Sequence, residues 1–434
     1  VDSAGRRLDS AIANRAPKPV VSWITRFTDF LARKPLVGFL LFLLLVGTRA
    51  IHWLANPQFF IEDGPEFYAP AFNHGISTLT REYASYLHLA PRILSLIATT
   101  FPVRLGPLVM ELFALAIQAG AATFILSNRL AKQIPSTCLR FGIAFFVIGY
   151  PYSDELFGNV AHSQWYLAII SLGIVFAETP KVFAYRLVDS FALGVNCLTG
   201  PFAPVVAIAA WTQTFADRSK AALAAIATTG TLITAWVTLS FPRAGLTHVH
   251  RYLLIERMIV NQVVTGSLMG LRYLHTVPTS VFFDPEQTAI ALFCVIVLIM
   301  GLRKSPPILK AFGGLALFAS VSSLLSQATW FGLGNPGMGE RYFFFLGLAF
   351  LFSIYSLSVS AKHSLSRWFY RCLLACATIA VIQNWVYDPP FKVLNYGPQI
   401  AKYKSLKAGE FLTIDTPCRR ELAYVKWKTV LRKR

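Results

Sequence analysis

The segment Phe60-Ile61-Glu62-Asp63-Gly64-Pro65-Glu66-Phe67 sets three carboxylates within five residues, between apolar and aromatic neighbours. Adjacent acids repel, and partial burial lifts a carboxyl pKa further, which suits one member of the pair Glu62-Asp63 to accept a proton from a hydroxyl. Gly64-Pro65 makes a tight turn that would fix the direction of the pair. A solvated polar cap at a helix end would have the same composition and do no chemistry.

A second cluster, Tyr150-Pro151-Tyr152-Ser153-Asp154-Glu155, is followed by Asn159-Val160-Ala161-His162-Ser163-Gln164-Trp165. Asp154 and Glu155 could hold a metal or a polar substrate, and Asn159, His162 and Gln164 supply the directional hydrogen bonds that a sugar needs. The alternative is loop polarity beside an interfacial Trp165. No His pair or His-acid spacing marks a metal-ligand set.

The third cluster runs from Gly332 to Tyr342 and carries four glycines and a proline ahead of Glu340-Arg341-Tyr342. Arg341 then stands at a helix N-terminus, where a phosphate would also meet the helix dipole and free amides; as a snorkelling arginine it would do neither. Thr247-His248-Val249-His250-Arg251 and Arg257 add a basic patch.

What must position these clusters is a membrane body. The 434 residues are 55% hydrophobic and only 14% charged, whereas a soluble chain averages about 25% charged. Apolar runs predict helices at 36–54, 105–127, 139–151, 163–177, 183–198, 200–214, 221–240, 287–302, 310–326, 342–360 and 366–385. The expected fold is therefore an all-α polytopic transmembrane bundle of about eleven helices, with the 183–214 pair short enough to be broken or re-entrant. Three parts follow: a basic N-terminal segment 1–35, a membrane domain 36–385, and a short basic tail 386–434. The first run reads as a retained helix and not as a signal peptide.

Arg6, Arg7, Arg15, Lys18, Arg26, Arg33 and Lys34 precede the first helix and predict a cytoplasmic N-terminus. The alternation then puts 55–104, 241–286 and the tail outside as long segments, so function is expected on the outer face. The stretch from Pro91 to Phe101 is too short to span and is expected to lie along the interface. The net charge of +19 is scattered between apolar runs, which points to anionic membrane lipid and not to nucleic acid. Cys138, Cys197, Cys294, Cys372 and Cys376 lie in or beside apolar segments and Cys418 in a polar one, so no disulfide framework is expected. Asp189 and Glu111 are acids inside apolar segments; Arg186 is expected to pair with Asp189, and Glu111 to face the cavity of Glu62.

These features resemble the GT-C glycosyltransferases, polytopic enzymes that move sugars from polyprenyl-phosphate carriers on the non-cytoplasmic face. The resemblance is carried by Glu62-Asp63 after the first helix, the interfacial stretch near Pro91, the cluster Asp154-Glu155, Asn159, His162 and Gln164, and Arg341-Tyr342 at a late helix terminus. Leu198-Thr199-Gly200-Pro201-Phe202 also looks like a segment of small bacterial members. The chain departs from the larger members in lacking a sizeable folded external domain, which favours a glycan or lipid acceptor over a folded protein.

The resemblance implies that Asp63 is the general base, assisted by Glu62, and that the reaction inverts the anomeric carbon. Arg341 and Tyr342, with Arg92 or the patch at His250-Arg251, would hold the leaving phosphate; Asp154, Glu155, Asn159, His162 and Gln164 would orient sugar hydroxyls. It implies a bacterial inner-membrane location with a periplasmic or extracellular site, and it admits a divalent cation, magnesium or manganese. A transporter or flippase for an anionic lipid-linked substrate is the alternative and predicts access from both sides. The short cytoplasmic loops offer it no inner vestibule.

Overall fold

Prolines punctuate the apolar runs and set where helices begin. Pro35, Pro107, Pro204, Pro285 and Pro307 each stand in the first turn of a helix, where the missing N–H costs nothing. The computed structural model describes residues 19–153, 155–242, 254–270, 273, 285–326, 339–386, 394, 396–416 and 427–433. Asp154, His248, His250, Arg251 and Cys418 lie outside the described residues.

The described residues are mainly helical. Among the described residues six helices are long and apolar enough to cross a membrane: Val103–Leu126, Arg218–Ser240, Pro285–Lys304, Pro307–Leu325, Glu340–Ser360 and Ser364–Gln383. A seventh is counted if Trp23–Arg33 and Pro35–Arg49, bent by 108°, are taken as one span. Several of the remainder are too short: Thr137–Gly149 has 13 residues and Ala203–Ala216 has 14. At ~1.5 Å per residue such helices reach ~20 Å against a hydrocarbon core of ~30 Å.

Helix Glu340–Ser360 is the axis of the bundle. Phe344, Phe345, Leu348, Phe350, Leu351 and Ile354 are all buried, so it is apolar all round and packed all round. Helices 285–304, 307–326 and 364–383 surround it. The N-terminal helix Pro19–Arg33 instead turns Trp23, Ile24, Phe27 and Phe30 outward as one apolar stripe, a pattern suited to a membrane surface. Thr28 and Asp29 tie it to Thr137 of the next bundle helix.

Two expectations need correction. Residues 241–286 were expected to form one external loop, yet Leu254–Met258, the π-helical Ile259–Thr265 and Gly266–Leu268 make a helix buried against 285–304, 340–360 and 364–383. Its interleaved Asn261 and Gln262 broke the apolar run and hid it. Asp189 pairs with Arg129 at 2.9 and 2.5 Å, while Arg186 donates to the carbonyls of Pro180 and Lys181. The tail adds one small sheet to the helical fold, in which Phe411–Thr416 (β1) and Trp427–Arg432 (β2) pair antiparallel after helix Tyr396–Ser405. Leu412, Ile414 and Thr416 alternate inward, the period of a half-buried strand.

That tail packs on the first loop. Tyr396, Ile400, Leu412, Ile414 and Leu431 share a second core with Phe59, Phe67, Tyr68 and Phe72, separate from the main bundle core. Asn73 clamps β2 by donating to the Val430 carbonyl and accepting from the Arg432 amide, both at 2.8 Å. All five described cysteines are free.

Candidate active-site cavity

Two adjacent rings anchor the chain ahead of the acidic pair. Phe60 stacks on Trp53 in the main core, while Phe59 packs on Tyr68 and Tyr396 in the second, so the backbone between the two cores is pinned. The π-helix Asp63–Tyr68 begins at once, an irregularity common at functional sites. Gly64 is required there, since a Cβ would collide with Thr429 of β2 and with Phe59.

Asp63 is 3% exposed and accepts hydrogen bonds from the amides of Val160 (3.1 Å) and Ala161 (2.8 Å). Burial pushes its pKa up to about 8 against the opposing pull of those two bonds, and neighbouring Glu62 adds to the rise. Asp63 does not line the cavity described below; it fastens the acidic turn to the 159–162 loop. Glu62 does line the cavity, and its shielded Oε2 has no hydrogen-bond partner among the described residues. Glu66 is held above the usual carboxyl range chiefly by burial.

The loop from 150 to 163 is shaped by a residue that sequence reasoning missed. Arg49 is 1% exposed and donates to the carbonyls of Ile148 (2.6 Å) and Tyr150 (3.0 Å) and to Ser153 Oγ (3.0 Å), with its guanidinium 4.6 Å from the Phe157 ring centre. An arginine closing an apolar helix is expensive, and that cost was the available signal.

Within this loop Glu155 joins Arg341 rather than facing the cavity. Its Oε2 accepts from the Arg341 amide at 3.3 Å, its Oε1 lies 3.6 Å from Nη1, and its own amide donates to Glu340 Oε2 at 3.0 Å. Asn159 supports His162 from below, with its Oδ1 accepting from the His162 amide. His162 Nδ1 stands 2.8 Å from the Glu155 carbonyl and 3.0 Å from Asn159 Nδ2, so it donates to the first in one tautomer and accepts from the second in the other. Burial lowers the His162 pKa and keeps the ring neutral.

A cavity of about 820 Å³ lies at this end of the bundle, lined by Glu62, Tyr83, Tyr86, His162, Gln164 and Arg341, with Tyr342, Trp165 and Phe202 among the others. Gln164 reaches in because Gly200, at φ +88°, leaves room where any Cβ would strike its amide. Arg341 Nη2 donates to the Tyr342 hydroxyl at 2.9 Å. A groove of about 680 Å³ between helices 203–216 and 307–326 shares Phe318 and Ser322 with the cavity, and its lining is mostly apolar.

Of the residues singled out in sequence, the structure thus brings Glu62, His162, Gln164, Arg341 and Tyr342 to one cavity and sets Asp63, Glu155 and Asn159 behind its wall. Arg92 is a correction. It is 1% exposed, donates to the carbonyls of Glu66 (3.3 Å) and Glu82 (3.4 Å), and sits over Phe67, so its fork braces the first loop away from the cavity. Glu111 is buried beside Asp63 and likewise does not line the cavity. Among the described residues no group of three or more His, Cys, Asp or Glu could hold a metal ion.

The residues from Tyr83 to His88 were also missed. Ala84 and Ser85 take φ +55° and +70°, and Tyr83 and Tyr86 exchange backbone hydrogen bonds of 3.1 and 3.3 Å across this tight turn. Left-handed conformations in residues other than glycine cost about 1–3 kcal/mol each. Thr238 pins the turn by donating to the Ser85 carbonyl at 2.9 Å, and a bridge between His88 and Thr199 holds its base. No family model, curated protein or solved structure matches the chain.

Proposed function

We propose that this protein is an inverting glycosyltransferase of the GT-C type, moving a sugar from a polyprenyl-phosphate carrier to a glycan or lipid hydroxyl on the non-cytoplasmic side of a bacterial plasma membrane. One observation carries the reading: a carboxylate, Glu62, and a guanidinium, Arg341, share a cavity with His162 and Gln164, and that cavity shares Phe318 and Ser322 with a mostly apolar groove.

In this reading Glu62, which faces the cavity, is the base in place of Asp63. Glu62 takes the proton of the acceptor hydroxyl as its oxygen bonds to the anomeric carbon. The bond from that carbon to the phosphate oxygen breaks on the opposite face, and polyprenyl phosphate leaves with the electron pair. Charge grows on the phosphate in the transition state, where Arg341, held by Glu155, gives most benefit. His162 Nε2 and the Gln164 amide orient sugar hydroxyls, and the polyprenyl chain lies in the groove past Phe318 and Ser322. Basic residues ahead of the first helix support a cytoplasmic N-terminus, and the shorter helices complete a bundle of about eleven.

The test is transfer of labelled sugar from a panel of polyprenyl-phosphate hexoses and pentoses by the purified protein in lipid nanodiscs. Glu62→Gln should lower the rate by about 10²–10⁴-fold, the range typical of a lost general base. Full activity of Glu62→Gln, or no turnover of any such donor by the native protein, would overturn the reading.

A further inference from the structure

The cavity has two walls of different chemistry. One, from helix 307–326, presents Phe318, Ala319 and Leu325 together with Ser322 and Ser323, and shares Phe318 and Ser322 with the apolar groove. The other is the 83–88 segment, whose backbone is neither helix nor closed sheet. Irregular backbone is tolerated in a membrane protein where it lines a water-filled cavity, so this wall is the one suited to a hydroxyl-rich ligand.

That wall is aromatic. Tyr83 and Tyr86 are half-buried and line the cavity, and both pack on the His88 ring, at 5.5 and 4.7 Å between centres. Phe67 backs the cluster at 5.8 Å from Tyr83 and 5.3 Å from His88. The rings are therefore rigid before any ligand arrives. Glu62 and Arg341 both act electrostatically on Tyr83, which places the platform beside the reacting groups.

The turn that carries these rings is strained, and neither of its two left-handed residues is glycine. Its backbone is held by Thr238 from a different helix, so the conformation is imposed by its surroundings and not chosen by Ala84-Ser85. Strain kept in this way at a cavity mouth serves what the turn presents. Aromatic faces present themselves to the C–H faces of sugar rings, while their hydroxyl rims reach the sugar hydroxyls.

We propose that Tyr83 and Tyr86 form the stacking platform for a carbohydrate acceptor, so that the attacking hydroxyl belongs to a glycan and not to a lipid. The word acceptor rests on the glycosyltransferase reading; saccharide binding at this wall does not.

The two are separated by measuring binding without turnover. The native protein in nanodiscs is probed by saturation-transfer NMR with the methyl glycosides of glucose, galactose, mannose, rhamnose and arabinose, and with glycerol as a hydroxyl-rich control. Saturation should reach the ring C–H protons of at least one glycoside and not glycerol. It should fall about fivefold or more in Tyr83→Leu and Tyr86→Leu and persist in Tyr86→Phe, which keeps the ring. Equal saturation in the leucine variants, or of glycerol and glycosides alike, overturns the platform. In the transfer assay the leucine variants should raise the acceptor KM about tenfold and leave the donor KM in place. Transfer to diacylglycerol in place of oligosaccharide would overturn the glycan assignment. Glycoside binding with no donor turnover would sink the enzyme reading and leave the saccharide site standing.

Discussion

Glu155 grips Arg341 at two points, accepting from its backbone amide at 3.3 Å and standing 3.6 Å from its guanidinium. Glu340, one residue earlier, returns a bond to the Glu155 amide at 3.0 Å. The first turn of the axial helix and the 150–163 loop are thereby locked to each other, and the one cation lining the described cavity is aimed by an acid that does not line it.

Glu155→Ala should therefore raise the KM for a polyprenyl-phosphate donor by about tenfold or more, because Arg341 keeps its charge and loses its direction. Glu155→Gln should lie between, since it preserves an acceptor for the Arg341 amide. Steady-state kinetics with donor varied at fixed acceptor reads this; an unchanged donor KM in Glu155→Ala would remove the positioning role.

Arg49 spends its fork on two carbonyls and a hydroxyl that shape the same loop. Arg49→Met fills similar space and removes the donor to the Ile148 carbonyl, while the Tyr150 carbonyl keeps the Ser153 hydroxyl, at a cost of about 1–3 kcal/mol for a buried group left unpaired. Thermal unfolding in detergent should show a fall of several degrees in Tm, with Arg49→Lys in between. A Tm equal to that of the native protein would mean that water replaces the fork.

Gly64 meets Thr429 of β2, so the tail sheet sits directly on the acidic turn. Gly64→Ala should destabilise by about 1–3 kcal/mol, as overpacking does. Thr429→Ala opens the space and should recover part of the loss in the double variant. Additive losses in that double-mutant cycle would show that the two residues do not touch.

In the folded protein Asp63 keeps its proton up to about pH 8, whereas in the unfolded chain it releases it near its ordinary value of 3.8. Between those values the folded state binds more protons, so the stability from this group is fully present below the lower value and is lost as pH rises through the upper one. Asp63→Asn carries no such slope. The Tm of the variant minus that of the native protein should rise from about pH 4 to about pH 8; a constant gap across that range is the outcome that contradicts a buried, proton-holding Asp63.

The helices were legible because long apolar runs and the prolines that open them are local signals, as at Pro35, Pro285 and Pro307. The 254–270 segment was not, because Asn261 and Gln262 are buried among helices that arrive from elsewhere in the chain. The strands 411–416 and 427–432 are six residues each, and their alternation is too short to stand out beside a run of basic residues. At the site, residue type pointed to Glu62, His162, Gln164 and Arg341, while the family resemblance put Asp63 ahead of Glu62 and enlisted Arg92, neither of which lines the cavity. A carboxylate and its neighbour, or an arginine that lines a cavity and one that braces a loop, look alike until the groups around them are known.

By itself the sequence determined that the chain is a helical body with runs apolar enough to cross a membrane, and with acids, amides and one helix-opening arginine gathered near the ends of those runs. Hydropathy and charge are properties of a few residues at a time, so they need no fold to be read. Only the tertiary structure decided which polar groups face one cavity and which are consumed in building its wall. That choice depends on contacts between residues about a hundred or more apart in sequence: Asp63 with Ala161, Arg49 with Ile148, Glu155 with Arg341. A buried polar group must find a partner, and whether the partner is protein or substrate is settled by packing.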